Sequence, residues 1–79
     1  MGSQWENLME LSARNQIKGT ITHVEIGVVT AEITVDIGNG NEIVSVITKG
    51  SAERLGLKVG DAVAAVLKAT DVMIGKLDS

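Results

Sequence analysis

The sequence predicts an all-β fold: a small five-stranded OB-like Greek-key barrel with one short helix between strands 3 and 4. Three observations lead there. Apolar and polar residues alternate with period two, most cleanly over residues 28–37. Glycine and asparagine break the chain into short runs, as turns between strands do. The gaps between the apolar runs lack the spacing of parallel crossovers. The 79 residues make one small domain, which hides a modest fraction of its surface and often needs disulfides, a metal or oligomerisation. There is no Cys, hence no disulfide and no thiolate metal site, and the single His23 builds no imidazole cluster. Oligomerisation is the remaining aid. With 44% hydrophobic residues but no Phe and no Tyr, the core must be Val, Ile, Leu and Ala.

Residues 1–10 show no clear period and read as an N-terminal extension, a linker or a cloning remnant. Trp5, Leu8, Met9 and Leu11 would suit a short amphipathic turn. Strand 1 is expected over residues 16–26. Ile17, Gly19 and Ile21 alternate, and the phase then slips to Val24 and Ile26, as it does at a bulge; Gly19 would ease strong coiling. Gly27 turns the chain into strand 2, residues 28–37. There Ala31, Ile33, Val35 and Ile37 face one way, and Thr30, Glu32, Thr34 and Asp36 the other. Gly38-Asn39-Gly40-Asn41 is a hairpin turn of residues that accept positive φ. It is no dinucleotide fingerprint, because Ile43 stands at the third glycine position and no helix pattern follows.

Strand 3, residues 42–48, is apolar on both faces, which predicts cover on both. Ser51 is the expected N-cap of a helix of one or two turns over residues 52–55, stopped by Gly56. Residues 57–61 turn into strand 4, the wholly apolar residues 62–67. Val72-Met73-Ile74 is expected as a short fifth strand with Met73 in the core, and residues 76–79 as a tail. A barrel partly apolar outside should bury that surface against copies of itself.

The formal charge of −3 disfavours nonspecific binding to nucleic acid or anionic membrane, both of which reward clustered Lys and Arg. No apolar run reaches the ~20 residues that span a bilayer, and no signal-peptide pattern is visible. A cytoplasmic protein is expected. No spacing places His23 as a base beside a hydroxyl nucleophile, so no enzymatic activity is expected. His23 reads as a solvent-facing filler.

Two polar clusters stand out in this acidic chain: Ser12-Ala13-Arg14-Asn15 and Lys68-Ala69-Thr70-Asp71. Two cationic clusters suggest one site built from both ends, suited to a small oxyanion that local pre-aimed donors can hold against the net charge. The residues Ser12-Ala13-Arg14-Asn15-Gln16, Lys18-Gly19, Leu55-Gly56-Leu57-Lys58-Val59-Gly60-Asp61 and Lys68-Ala69-Thr70-Asp71-Val72-Met73-Ile74 together resemble the molbindins, the small Mop-type molybdate- and tungstate-binding proteins. The same module occurs in molybdate-responsive regulators and some molybdate-transport ATPases. The resemblance covers residues 11–75. It implies an OB-like barrel, a hexamer built as a trimer of dimers, and oxyanion sites between subunits. By position it implies Ser12, Arg14, Asn15, Thr48, Ser51, Lys68, Ala69 and Thr70 as ligands, with no bare metal cation and no cofactor beyond the oxyanion itself.

Such a dianion accepts hydrogen bonds and donates none, so it calls for cations and many fixed donors. Arg14 and Lys68 would supply charge; Ser12, Thr70, Thr48 and Asn15 would supply donors. Each has a plainer alternative. Arg14 and Lys68 suit salt bridges with Glu10 or Asp71, Ser51 a simple cap, Thr48 a plain strand position, and Asn15 a brace for local backbone. Three other functions compete. An OB-fold binder of single strands needs stacking aromatics and a basic groove, and Trp5 is the one aromatic. A swapped-hairpin DNA-binding regulator, which residues 55–66 resemble, lacks its basic arm. A structural oligomerisation module would pair Arg14 and Lys68 with carboxylates.

Overall fold

The computed structural model describes residues 15–77. The expectations for residues 1–14, among them Ser12, Arg14, Glu10 and the amphipathic turn around Trp5, lie outside that range. The chain divides into two compact units: Ile17–Ala65, and one that takes in the described residues before Ile17 and after Ala65. The elements are β1 (Asn15–Ile26), β2 (Thr30–Gly38), β3 (Asn41–Thr48), α1 (Lys49–Leu55), β4 (Ala62–Leu67) and a 3₁₀ turn at Ala69–Asp71. The strands make one sheet in the order β3-β2-β1-β4, with β1 antiparallel to β2 and β2 antiparallel to β3. The domain is all-β with the helix where it was expected. Among the described residues it has four strands rather than five, for a reason given below.

Alternation in β2 does what it implies. Ala31, Ile33 and Val35 are buried, and together with Ile21 and Ala52 they form the core of the Ile17–Ala65 unit. Val24, Ile37, Ile47, Leu57 and Val63 pack around them. Full burial of a Val or Ile side chain such as Ile21, Ile33 or Val35 contributes about 1.5–3 kcal/mol, and an alanine methyl less. The expected phase slip in β1 is a register shift between Ile21 and His23. Ile21 pairs with Val35 and Val24 with Ile33, so two core residues three apart still face the same side.

Gly19 has a sharper role than easing a coil. A Cβ there would stand 2.5 Å from the Asp36 carbonyl oxygen and 2.7 Å from Val35 Cγ1. At the β2–β3 hairpin Gly38 pairs with Asn41, and Asn39 (φ 57°) and Gly40 (φ 77°) form the two-residue turn. Positive φ at both central positions is the twist-matched hairpin geometry, and Asn-Gly is the pair that adopts it at least cost.

α1 ends as predicted. Gly56 takes the left-handed conformation, its N–H donates to Glu53 O (3.1 Å) and that of Leu57 to Ala52 O (3.2 Å). These are the two bonds of a Schellman motif. The turn into β4 is held by Asp61, whose Oδ2 accepts from Lys58 N–H (3.1 Å) while Oδ1 pairs with Lys58 Nζ (3.2 Å). That turn docks on β1: Ile21 N–H donates to Asp61 O (2.9 Å), and Gly60 N–H to Ile21 O (2.8 Å).

Residues 72–74 do not form a strand, which corrects the expectation. Val72 has extended dihedrals (φ −90°, ψ 121°), but a strand also needs a hydrogen-bonded neighbour, and among the described residues this segment has none. Met73, expected in the core, is 92% exposed. Among the described residues no helix is long and apolar enough to cross a membrane.

Candidate functional site

The second polar cluster is a tight exposed turn. Asp71 N–H donates to Lys68 O (2.9 Å) and Val72 N–H to Ala69 O (3.4 Å). A 3₁₀ turn leaves its first N–H groups without a partner inside the turn. Those of Ala69 and Thr70 have no backbone partner among the described residues. This gives physical sense to Ala69 as a candidate ligand, since alanine can contribute only its amide. Lys68 and Thr70 are both exposed. The ion pairs among the described residues are Lys58–Asp61 and His23–Glu25. The Lys68–Asp71 bridge that the sequence leaves open is therefore not formed, and the Lys68 ammonium meets no carboxylate there.

Asn15 belongs to the same unit. Its Nδ2 donates to Leu67 O at 3.4 Å, linking the start of β1 to the residue before Lys68. The contact is long, and it is the backbone-bracing role foreseen for Asn15. It sets the one described residue of the first cluster next to the second. Ser12 and Arg14 lie outside the described residues.

Thr48 and Ser51 form another group, within the Ile17–Ala65 unit. Ser51 is not the N-cap, which corrects the expectation; Thr48 is. The helix starts at Lys49, whose N–H is held by Val29 O at 2.8 Å. This fixes the strand end at Thr48 and leaves Ser51 three residues inside. Thr48 Oγ1 accepts from Ser51 N–H (3.0 Å) and donates to Ser51 Oγ (2.8 Å). Arg54 Nη2 also donates to Ser51 Oγ (3.2 Å). Arg54 escaped the sequence reading, although its i, i+3 spacing from Ser51 on a helix was the signal that finds it. His23, 57% exposed at its side chain, lies 3.4 Å from Glu25 and is solvent-facing as expected.

The capping assignment makes a direct prediction. Thr48→Ala should lower stability by about 0.5–2 kcal/mol through loss of the cap. Chemical denaturation measures this, and an unchanged midpoint would remove the cap from the account.

Chemically, both groups offer mainly donors: an ammonium and a guanidinium, hydroxyls, and the amides of Ala69 and Thr70, which have no backbone partner among the described residues. Among the described residues no group of three or more His, Cys, Asp or Glu side chains is placed to hold a metal ion.

Residues 11–74 match the TOBE domain. Molybdenum-pterin-binding protein 2 of Clostridium pasteurianum is 52% identical over 66 residues, which cover 84% of this chain and 97% of that protein. A molybdate-binding protein from Sporomusa ovata, 37% identical, superposes with a TM-score of 0.79 over 85% of this chain and 98% of its own. The cytoplasmic molybdate-binding protein ModG, in a structure with molybdate bound, is 47% identical with a TM-score of 0.72; the match covers 76% of this chain and 43% of ModG. Identity at this level over nearly the whole domain, on the same strand framework, settles the relationship: the chain belongs to the TOBE-domain family and, within it, to the Mop-type molybdenum-pterin-binding proteins, the molbindins.

Proposed function

We propose that this chain binds molybdate, or the like-shaped tungstate, as a non-enzymatic cytoplasmic module that stores or senses molybdenum. One observation carries the reading. The turn at residues 68–71 presents an ammonium, a hydroxyl and two amide N–H groups at one exposed place, with no ion pair to Lys68 among the described residues. That donor set suits a dianion that only accepts. Relatives named for molybdate or molybdenum-pterin binding support the choice of anion, and a relative named as cytoplasmic supports the compartment. The ligand set extends to Ser12, Arg14, Asn15, Thr48 and Ser51 by position in the family. Salt-bridging of Lys68, which a purely structural module requires, finds no support in the geometry around Asp71.

A ligand that binds only the native state raises its stability by mass action. Molybdate at a hundredfold excess over its dissociation constant should add about 2.7 kcal/mol per independent site. An unchanged melting temperature in millimolar molybdate would overturn the oxyanion reading.

The OB-like barrel is completed, on this reading, by assembly into a hexamer, a trimer of dimers. Exposed Val28, Val29, Val44, Val46, Ile74 and Leu77 are more apolar surface than a chain of this size leaves in water. Each such side chain covered at an interface contributes roughly 1.5–3 kcal/mol. Velocity sedimentation should find an oligomer at micromolar concentration; a stable monomer there would refute it.

A further inference from the structure

Thr48, Ser51 and Arg54 share a small set of hydrogen bonds, and counting protons and lone pairs gives each a different role. Thr48 Oγ1 accepts from Ser51 N–H at 3.0 Å and donates its own proton to Ser51 Oγ at 2.8 Å. Arg54 Nη2 donates to the same Ser51 Oγ at 3.2 Å. A serine hydroxyl has two acceptor lone pairs and one proton to give. Both lone pairs of Ser51 are therefore occupied, while its proton makes no hydrogen bond among the described residues. The Thr48 proton is already used within the pair, so one hydroxyl proton, that of Ser51, remains for a ligand.

The helix sets the reach of Arg54. Long helical side chains lean back toward the N-terminus, so a residue at i+3 covers the turn that holds residue i. Arg54 Nη1 lies 3.6 Å from where a Cβ on Gly50 would stand, which lays the guanidinium back over Gly50 and Ser51. Among the described residues no carboxylate forms an ion pair with Arg54.

We propose that Arg54 is a positioning residue that holds the Ser51 hydroxyl as a fixed donor to the bound oxyanion, and that Thr48 serves the anion only through Ser51. This deepens the oxyanion reading and rests on it: Thr48 and Ser51, equal members of the ligand set by position in the family, take unequal parts. The physical gain is preorganisation. An unconstrained hydroxyl can turn either a lone pair or its proton toward a neighbour, and an anion that only accepts is bound by the proton alone. Filling both lone pairs beforehand removes that choice before the anion arrives. A hydrogen bond received from a cationic donor also polarises the hydroxyl and strengthens it as a donor in turn.

A double-mutant cycle tests the assignment. Molybdate is titrated by calorimetry into the wild-type chain, Ser51→Ala, Arg54→Met and the double variant, and the ligand-free melting temperature of each is recorded. Ala and Met both sustain a helix, so all four proteins should fold. Ser51→Ala should lower affinity about threefold to tenfold, the loss of one hydroxyl donor. Arg54→Met should lose most of the same factor, and the double variant should bind no more weakly than Ser51→Ala. Arg54→Lys, which keeps a cationic donor, should recover part of the affinity lost in Arg54→Met, and only where Ser51 is present. Independent factors that multiply in the double variant, or recovery by Lys in the Ser51→Ala background, would mean that Arg54 acts on the anion by its own charge, and would overturn the proposal. So would wild-type affinity in Ser51→Ala, or an Arg54→Met protein that melts lower yet binds unchanged. Wild-type protein that takes up no molybdate sinks the oxyanion reading and this assignment with it, whereas wild-type binding with a multiplicative cycle sinks this assignment alone.

Discussion

Lys68→Ala is expected to lower molybdate affinity about tenfold to a hundredfold or more while leaving the ligand-free protein nearly unchanged. The first half follows from the loss of a charge-assisted hydrogen bond to an anion, on the order of 1.5–3 kcal/mol. The second half follows from the surroundings of Lys68. It is exposed and forms no ion pair among the described residues, so its removal breaks no ion pair of the described fold. If Arg14 shares the site, the ligand-free protein even gains by relief of repulsion between like charges. Thr70→Ala should cost less, because a neutral hydroxyl donor is weaker than an ammonium. A structural Lys68 would invert this pattern, with a weakened ligand-free protein and no anion dependence. Titration calorimetry and thermal melting on the same preparation separate the two; a large fall in melting temperature with unchanged molybdate affinity would remove Lys68 from the site.

Gly19→Ala should be the most damaging small substitution in the described fold. The added methyl would lie 2.5 Å from a backbone carbonyl oxygen of Asp36 and 2.7 Å from buried Val35. The obstacle at Asp36 is backbone in the paired strand, so the methyl fits only if β1 and β2 move apart. Overpacking typically costs 1–3 kcal/mol and occasionally more, and this contact, against sheet backbone, belongs at about 3 kcal/mol or above. For a domain of this size each kcal/mol shifts the melting temperature by roughly 4–8 °C, so a fall of more than about 10 °C is expected. Gly50→Ala is the control. A Cβ there meets only the tip of Arg54 at 3.6 Å, and it lies in α1, where replacing Gly by Ala stabilises by about 0.5–1 kcal/mol. Equal melting temperatures for the two variants would mean that the close approach of Gly19 to β2 is not what holds that position.

Much of the sheet was legible because local chemistry decides it. Alternation in residues 28–37 determined which side of β2 is buried, since a strand has only two faces. The slip between Ile21 and Val24 announced the bulge, since two core residues three apart cannot share a face without one extra residue between them. Asn39-Gly40 and Gly56 specified a hairpin and a helix stop through the positive φ that they tolerate. The polar turn at residues 68–71, too, was visible as the break in an apolar run.

What tertiary structure decided were the choices between two locally adequate answers. Thr48 and Ser51 are both good N-caps, and the bond from Lys49 N–H to Val29 O starts the helix at Lys49 and makes Thr48 the cap. Asp71 suited an ion pair with Lys68, and the backbone bonds of the 3₁₀ turn, not that pair, shape the cluster. Val72-Met73-Ile74 has every local property of a strand, yet a strand exists only where another strand offers its edge, and among the described residues none does. Composition and pattern determined that this chain makes a small all-β domain with a donor-rich turn. Which segments pair is settled by edges brought together from far along the chain, because backbone hydrogen bonds are the same for every sequence and only the fold decides which ones meet.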